Sequence, residues 1–137
     1  KDTMQLAAFS QNQFFLGHAA MLVNEGLPAF LVSELKRRVP LASKTVGVLG
    51  MAFKAGSDDP RSSLSYKLKK ILRIEARRVL CTDPYVPDET LVPLEAVLRE
   101  ADVLVVGTPH DEYRGLQVRP GVEVVDVWGL LPREGAA

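Results

Sequence analysis

Near residue 50 the chain gathers glycines, an aromatic ring and two cations where an apolar run gives way to a helical pattern. Gly47-x-x-Gly50-x-x-Phe53-Lys54 leaves the run, and Ser57-Asp58-Asp59-Pro60-Arg61-Ser62-Ser63 leads into the helix. Glycines admit a ligand close to the backbone, N–H groups at a helix start favour an anion, and Lys54 and Arg61 add full charges. This is chemistry for a phosphate or pyrophosphate. The glycine spacing departs from the G-x-G-x-x-G dinucleotide fingerprint, so a plain strand-to-helix turn is equally open. Asp58 and Asp59, ahead of Pro60, read better as helix N-caps than as an acid pair. Cys81 stands in an apolar run and reads as an inert buried thiol. Asp83 is readable two ways, as a ribose-binding carboxylate at a strand end or as part of an Asp-Pro turn. His110 reads as a solvated loop residue before it reads as a ligand. His18 reads as a surface or cap residue, Trp128 as a cover for the sheet edge before it reads as a ring stacking on a base, and the lysine run at 67, 69 and 70 as a solvated helix face.

The elements around these residues fall into two textures. Residues 4–35 are rich in Ala, Leu, Phe and Met with few turn signals, which predicts a helix near 4–12 and a longer one near 18–37. Pro28 should kink or divide the second helix, and Lys36-Arg37-Arg38 followed by Val39-Pro40 should end it. Apolar residues from Ala19 to Leu35 cover almost its whole circumference, so the helix needs cover from beyond this small chain. After Pro40, strand-type runs at 45–50, 78–83, 102–107 and 123–128 alternate with amphipathic helices at 64–73 and 94–101. Near-continuous Val/Leu strands of this kind predict an α/β fold, a Rossmann-like doubly wound parallel sheet preceded by a long-helix segment. Ligands of such sheets sit beyond the carboxyl ends of the strands.

Composition narrows the classes. The 137 residues carry 47% apolar and 25% charged side chains, with 17 Lys+Arg against 17 Asp+Glu. The zero net charge offers no field to neutralise a phosphate backbone, which argues against nucleic-acid binding. One cysteine fits a reducing cytoplasm. The apolar stretch 14–32 is broken by His18, Asn24, Glu25 and Pro28, so no uninterrupted run reaches the roughly 18 residues of a membrane span. Lys1-Asp2-Thr3 carries neither a signal-peptide pattern nor an initiator Met, and the expectation is a chain that begins inside a longer one.

The segment Val46-Gly-Val-Leu-Gly-Met-Ala-Phe-Lys54-Ala-Gly-Ser-Asp-Asp-Pro-Arg61-Ser-Ser63 closely resembles the opening of the C-terminal domain of the UDP-glucose/GDP-mannose dehydrogenase family. Thr82-Asp83-Pro84-Tyr85-Val86 resembles the family's "YDP" strand end. Ala101-Asp102 through Thr108-Pro109-His110-Asp111-Glu112-Tyr113 resembles its "AD…T…EY" segment, and Val124-Val125-Asp126 its last-strand "VxD". Lys1-Asp2-Thr3 and the helix after it resemble the tail of the catalytic G-x-C-(F/L)-(P/Q)-K-D motif. The resemblance spans nearly the whole chain.

It implies that residues 1–39 are the C-terminal part of a central helical domain that builds a homodimer, and that 40–137 form the nucleotide-sugar-binding domain. The implied reaction is a two-step oxidation of a sugar-nucleotide C6 alcohol to a carboxylate with two NAD, through a thiohemiacetal and a thioester. Its cysteine would stand three positions before Lys1, and the main NAD domain further upstream. By resemblance, Asp2 helps activate the water or alkoxide, Phe53 and Lys54 contact the sugar nucleotide, and Arg61 reaches the NAD; no metal is implied. Trp128 stands where many UDP-glucose dehydrogenases carry an Arg, which leaves open a UDP-hexose, a UDP-N-acetylhexosamine or GDP-mannose. A nucleotide-binding module without chemistry and an interaction protein built on its apolar helices are the competing classes.

Overall fold

Burial at five consecutive positions, Thr45–Leu49, is reached only by a strand at the centre of a sheet covered on both faces. In the computed structural model, which describes residues 2–11 and 13–131, this strand is β1 (Thr45–Leu49). It pairs in parallel with β2 (Arg78–Thr82) on one side and β3 (Val103–Val106) on the other, and β4 (Glu123–Val125) pairs in parallel with β3. The order is β2-β1-β3-β4. Helices α1 (Asp2–Phe9) and α2 (Phe15–Arg38) precede the sheet, while α3 (Leu64–Glu75) and α4 (Leu94–Glu100) connect its strands.

Both faces are filled. On one, Val46, Val48, Val103 and Val105 meet Leu68 and Leu72 of α3 together with Val32 and Leu35 of α2. On the other, Leu49, Leu104 and Val106 meet Val97, Ala101 and Tyr113. The doubly wound parallel sheet expected from the sequence is the observed one. It gathers the carboxyl ends of β1, β2 and β3 at one edge. There Gly50 takes φ +90°, and a Cβ on it would stand 2.4 Å from the Thr108 carbonyl oxygen, so only glycine fits this crossing.

Several local expectations give way. Pro28 does not divide α2, which runs through it as one helix. The proline is buried, and Val32 and Leu35 in the core hold the next turns against α3, so packing outweighs the lost hydrogen bond. α3 is capped by Ser63, whose hydroxyl accepts from the Ser65 N–H, not by Asp58 or Asp59. The lysine run is not uniformly solvated. Lys69 is only 7% exposed, its ammonium donating to Thr90 Oγ1, and Lys67 pairs with Glu25 of α2. The last strand stops at Val125 because the Asp126 carboxylate turns the chain, accepting from the Trp128 and Leu131 N–H groups.

α2 keeps its outer surface apolar and open. Gly17, Pro28, Val32 and Leu35 are buried, whereas Leu16, Leu22, Val23, Leu27 and Phe30 are exposed, as are Leu6, Phe9 and Phe15 nearby. By length and composition α2 could cross a bilayer, contrary to the interruption argument from sequence. Its inner side is tied to the domain by the core contacts and by the Lys36–Glu75 pair at 2.7 Å.

Candidate functional site at the carboxyl edge of the sheet

The loop 51–63 between β1 and α3 is held from beneath by groups at the ends of β2 and β3. The Asp83 carboxylate accepts from the Met51 and Ala52 N–H groups through Oδ2, at 2.6 and 2.9 Å. Its Oδ1 accepts from Tyr85 and Val86, at 2.8 and 3.0 Å. Burial alone would raise this carboxyl, but the backbone donors outweigh it and hold Asp83 below its ordinary value. Thr108 Oγ1 donates to the Ala52 carbonyl at 2.6 Å, and Ser63 Oγ donates to the same oxygen at 3.3 Å. His110 is fully buried, with Nε2 3.0 Å from Asp83 Oδ2 and Nδ1 accepting from Gly56 N–H at 3.2 Å.

These contacts decide one open reading and correct a second. Asp83 serves its turn and the loop above it, and its side chain is inaccessible to a ribose. His110 is not solvated; it is a support of the loop. Cys81 is buried and burial pushes its thiol up to about 11, as an inert core cysteine requires.

Above the loop lies a cleft of about 420 Å³ where α1 and α2 face the sheet edge. Phe53 forms one wall, with Ser62, Ser63 and Ser65 beside it and Asn24, Met21 and Thr3 from the helices opposite. Trp128 also lines the cleft. It is 56% exposed, and its indole N–H donates to the Val106 carbonyl at 3.2 Å, fixing the ring while leaving a face to solvent. Ser62 is held at φ +61°, a costly conformation for a residue with a side chain.

The residues singled out from sequence spread around this cleft. Phe53 lines it. Asp2 lies in the first turn of α1, beside the lining residue Thr3. Lys54 is exposed on the loop, next to Phe53 but outside the lining, and no ion pair occupies its ammonium among the described residues. Arg61 is exposed on the loop's far side, its guanidinium forked onto Asp59 at 2.8 and 2.9 Å. The structure thus brings together Phe53 and the neighbourhood of Asp2, leaves Lys54 beside Phe53 in the chain but outside the lining, and sets Arg61 apart. Sequence reasoning missed Asn24 and Ser62 as cleft residues, whereas Trp128, read also as a ring that could stack on a base, does line the cleft. The Arg61-Ser62-Ser63 run was the one signal that pointed toward the serines.

Known proteins resemble this chain in sequence and fold. Residues 47–133 match the model of the UDP-glucose/GDP-mannose dehydrogenase family, UDP binding domain. The chain is 34% identical over 121 residues to the UDP-N-acetyl-D-mannosamine dehydrogenase of Pyrococcus horikoshii, covering 85% of this chain and 29% of that protein. It is also 34% identical over 128 residues to a UDP-glucose 6-dehydrogenase of Haloferax volcanii, covering 85% and 30%. The solved UDP-glucose dehydrogenase of Pyrobaculum islandicum superposes with a TM-score of 0.77 at 29% identity, over 91% of this chain and 32% of that one. The chain spans under a third of the length of these relatives.

Proposed function

Because the chain belongs to the UDP-glucose/GDP-mannose dehydrogenase family, through its UDP-binding domain, we propose that it is the sugar-nucleotide-binding portion of an NAD-dependent nucleotide-sugar 6-dehydrogenase. The substrate in this reading is a UDP-hexose or UDP-N-acetylhexosamine, oxidised at C6 to the uronic acid in the cytoplasm. The observation that carries it is the cleft between α1, α2 and the sheet edge, lined by Phe53 and Trp128, with the Lys54 cation on the same loop as Phe53.

Each residue has a definable part. Phe53 offers a flat apolar wall to a sugar or base. Lys54 places a point charge on the loop that would meet a diphosphate, and the exposed Ser62 hydroxyl can exchange hydrogen bonds with a sugar hydroxyl. Asp2, in the first turn of α1, can orient a water or alkoxide at the reacting carbon. In this reading the nucleophilic cysteine lies upstream of Lys1.

NAD would supply the hydride acceptor, but the described residues do not make a dinucleotide site of their own. Asp83, the carboxylate at the β2 end, is fully engaged within the fold, and Arg61 reaches outward from a pair with Asp59. The reading therefore gives this chain the nucleotide sugar and assigns the NAD mainly to another domain, with Arg61 at the border. Residues 1–39 are read as the end of a central helical domain, and 40–137 as the nucleotide-sugar domain. The exposed apolar face of α1 and α2 is read as a homodimer interface.

The test is NADH formation by the full-length protein with UDP-glucose, UDP-N-acetylmannosamine and GDP-mannose. Two NADH per sugar oxidised with a UDP-sugar is the expected result, and no signal from the 137-residue chain alone. No NADH with any substrate, or steady turnover by the chain alone, would overturn the reading.

A further inference from the structure

The tip of the 51–63 loop, Lys54-Ala55-Gly56, is tied down at one described point, the hydrogen bond from Gly56 N–H to His110 Nδ1. Gly56 itself sits at φ +64°, and a Cβ built on it would meet open space. The imidazole that accepts this bond is immobilised on three sides. Its Nε2 meets Asp83 Oδ2 at 3.0 Å, the Tyr85 ring lies tilted at 5.1 Å, and the Tyr113 ring stands edge-on at 5.8 Å. Asp83 in turn grips the root of the same loop through Met51 and Ala52. Its carboxylate only accepts, so Nε2 must carry the proton and Nδ1 must be the acceptor. One carboxylate therefore fixes the loop's root directly and its tip through the ring.

We infer that His110 is a positioning residue, which with Asp83 sets the 51–63 loop and so delivers Phe53 and Lys54 to the nucleotide. The inference rests on the reading above that Phe53 and Lys54 contact the ligand. His110 touches no ligand in this arrangement. It acts through the Gly56 N–H, two residues beyond Lys54, and thereby reduces the ordering cost that binding would otherwise pay.

Two near-isosteric variants separate this from simple core filling. His110→Asn keeps an acceptor near Nδ1 and loses the group facing Asp83. His110→Gln keeps a donor near Nε2 and loses the acceptor facing Gly56. In the full-length protein, His110→Gln should speed hydrogen exchange in peptides covering 53–58 by about 10-fold, while His110→Asn, which keeps the acceptor and loses its tether to Asp83, should fall between that and wild type. UDP affinity should fall about 10-fold in the Gln variant and less than about 3-fold in the Asn variant. Equal behaviour of the two variants would overturn the positioning role.

A measurement on wild type stands even if a variant fails to fold. Long-range proton–nitrogen spectra of the ¹⁵N-histidine-labelled protein should show His110 protonated at Nε2 alone, and a proton on Nδ1 would overturn the inference. Failure of the ligand reading looks different. Wild type would then bind no UDP, while the exchange contrast between Asn and Gln would persist and uphold the clamp.

Discussion

The side chains beneath the site carry more of the design than those that would touch a ligand. Asp83, His110 and Thr108 are each consumed by the loop above them. Only the fold brings them together, because they come from the ends of two strands that are neighbours of β1 rather than of each other. The sequence announced them as chemistry-bearing types but could not say whether their polar atoms faced solvent or backbone. The same blindness hid Lys69 and its partners. Thr90 and Tyr66 donate to the Asp88 carboxylate and hold it down to about 2, while Lys69 donates to Thr90. A carboxyl lowered in the folded state adds stability above its unfolded value near 4, and that stability is lost as pH falls toward 2. Urea denaturation from pH 6 to pH 2.5 should therefore show a steeper loss for wild type than for Asp88→Asn. Parallel curves would count against this network.

At the scale of elements, strand and helix types were legible because hydrophobic periodicity reports them directly, and the buried parallel strands left unbroken Val/Leu runs. Boundaries and caps were not. α2 begins at Phe15 and passes through Pro28 because its inner face is anchored to α3, a tertiary effect no local pattern contains. What periodicity did foresee is the unpartnered side of this helix. Phe15 is 79% exposed and Phe9 88%, with Leu22, Leu27 and Phe30 in the same apolar surface. Obligate interfaces bury more than about 2,000 Å², and a two-fold pairing of α1 and α2 is the simplest closed way to cover this face. Sedimentation should find a dimer at micromolar concentration, and Leu22→Glu or Phe30→Glu should dissociate it. A wild-type monomer under the same conditions would contradict this use of α2.

For the molecule as a whole, the sheet serves as a frame that collects three strand ends, and the two preceding helices turn that edge into a cleft. The order of motifs from Gly47 to Asp126 made the family legible. The cleft itself was not, since its walls come from residues as distant as Thr3 and Trp128. The 51–63 loop and the 108–110 segment are joined by hydrogen bonds, and the cleft is lined instead by this loop together with α1 and α2. In the proposed function Lys54, next in the chain to the lining residue Phe53, is the cation for the diphosphate. The most direct measurement of the account is calorimetric titration of UDP and GDP into the full-length protein and its Lys54→Ala variant. A charge-assisted contact to phosphate is worth about 1.5–3 kcal/mol, so the variant should bind UDP about 10- to 100-fold more weakly, with wild type preferring UDP over GDP. Equal UDP affinity in the two forms would contradict the placement of the nucleotide at this cleft.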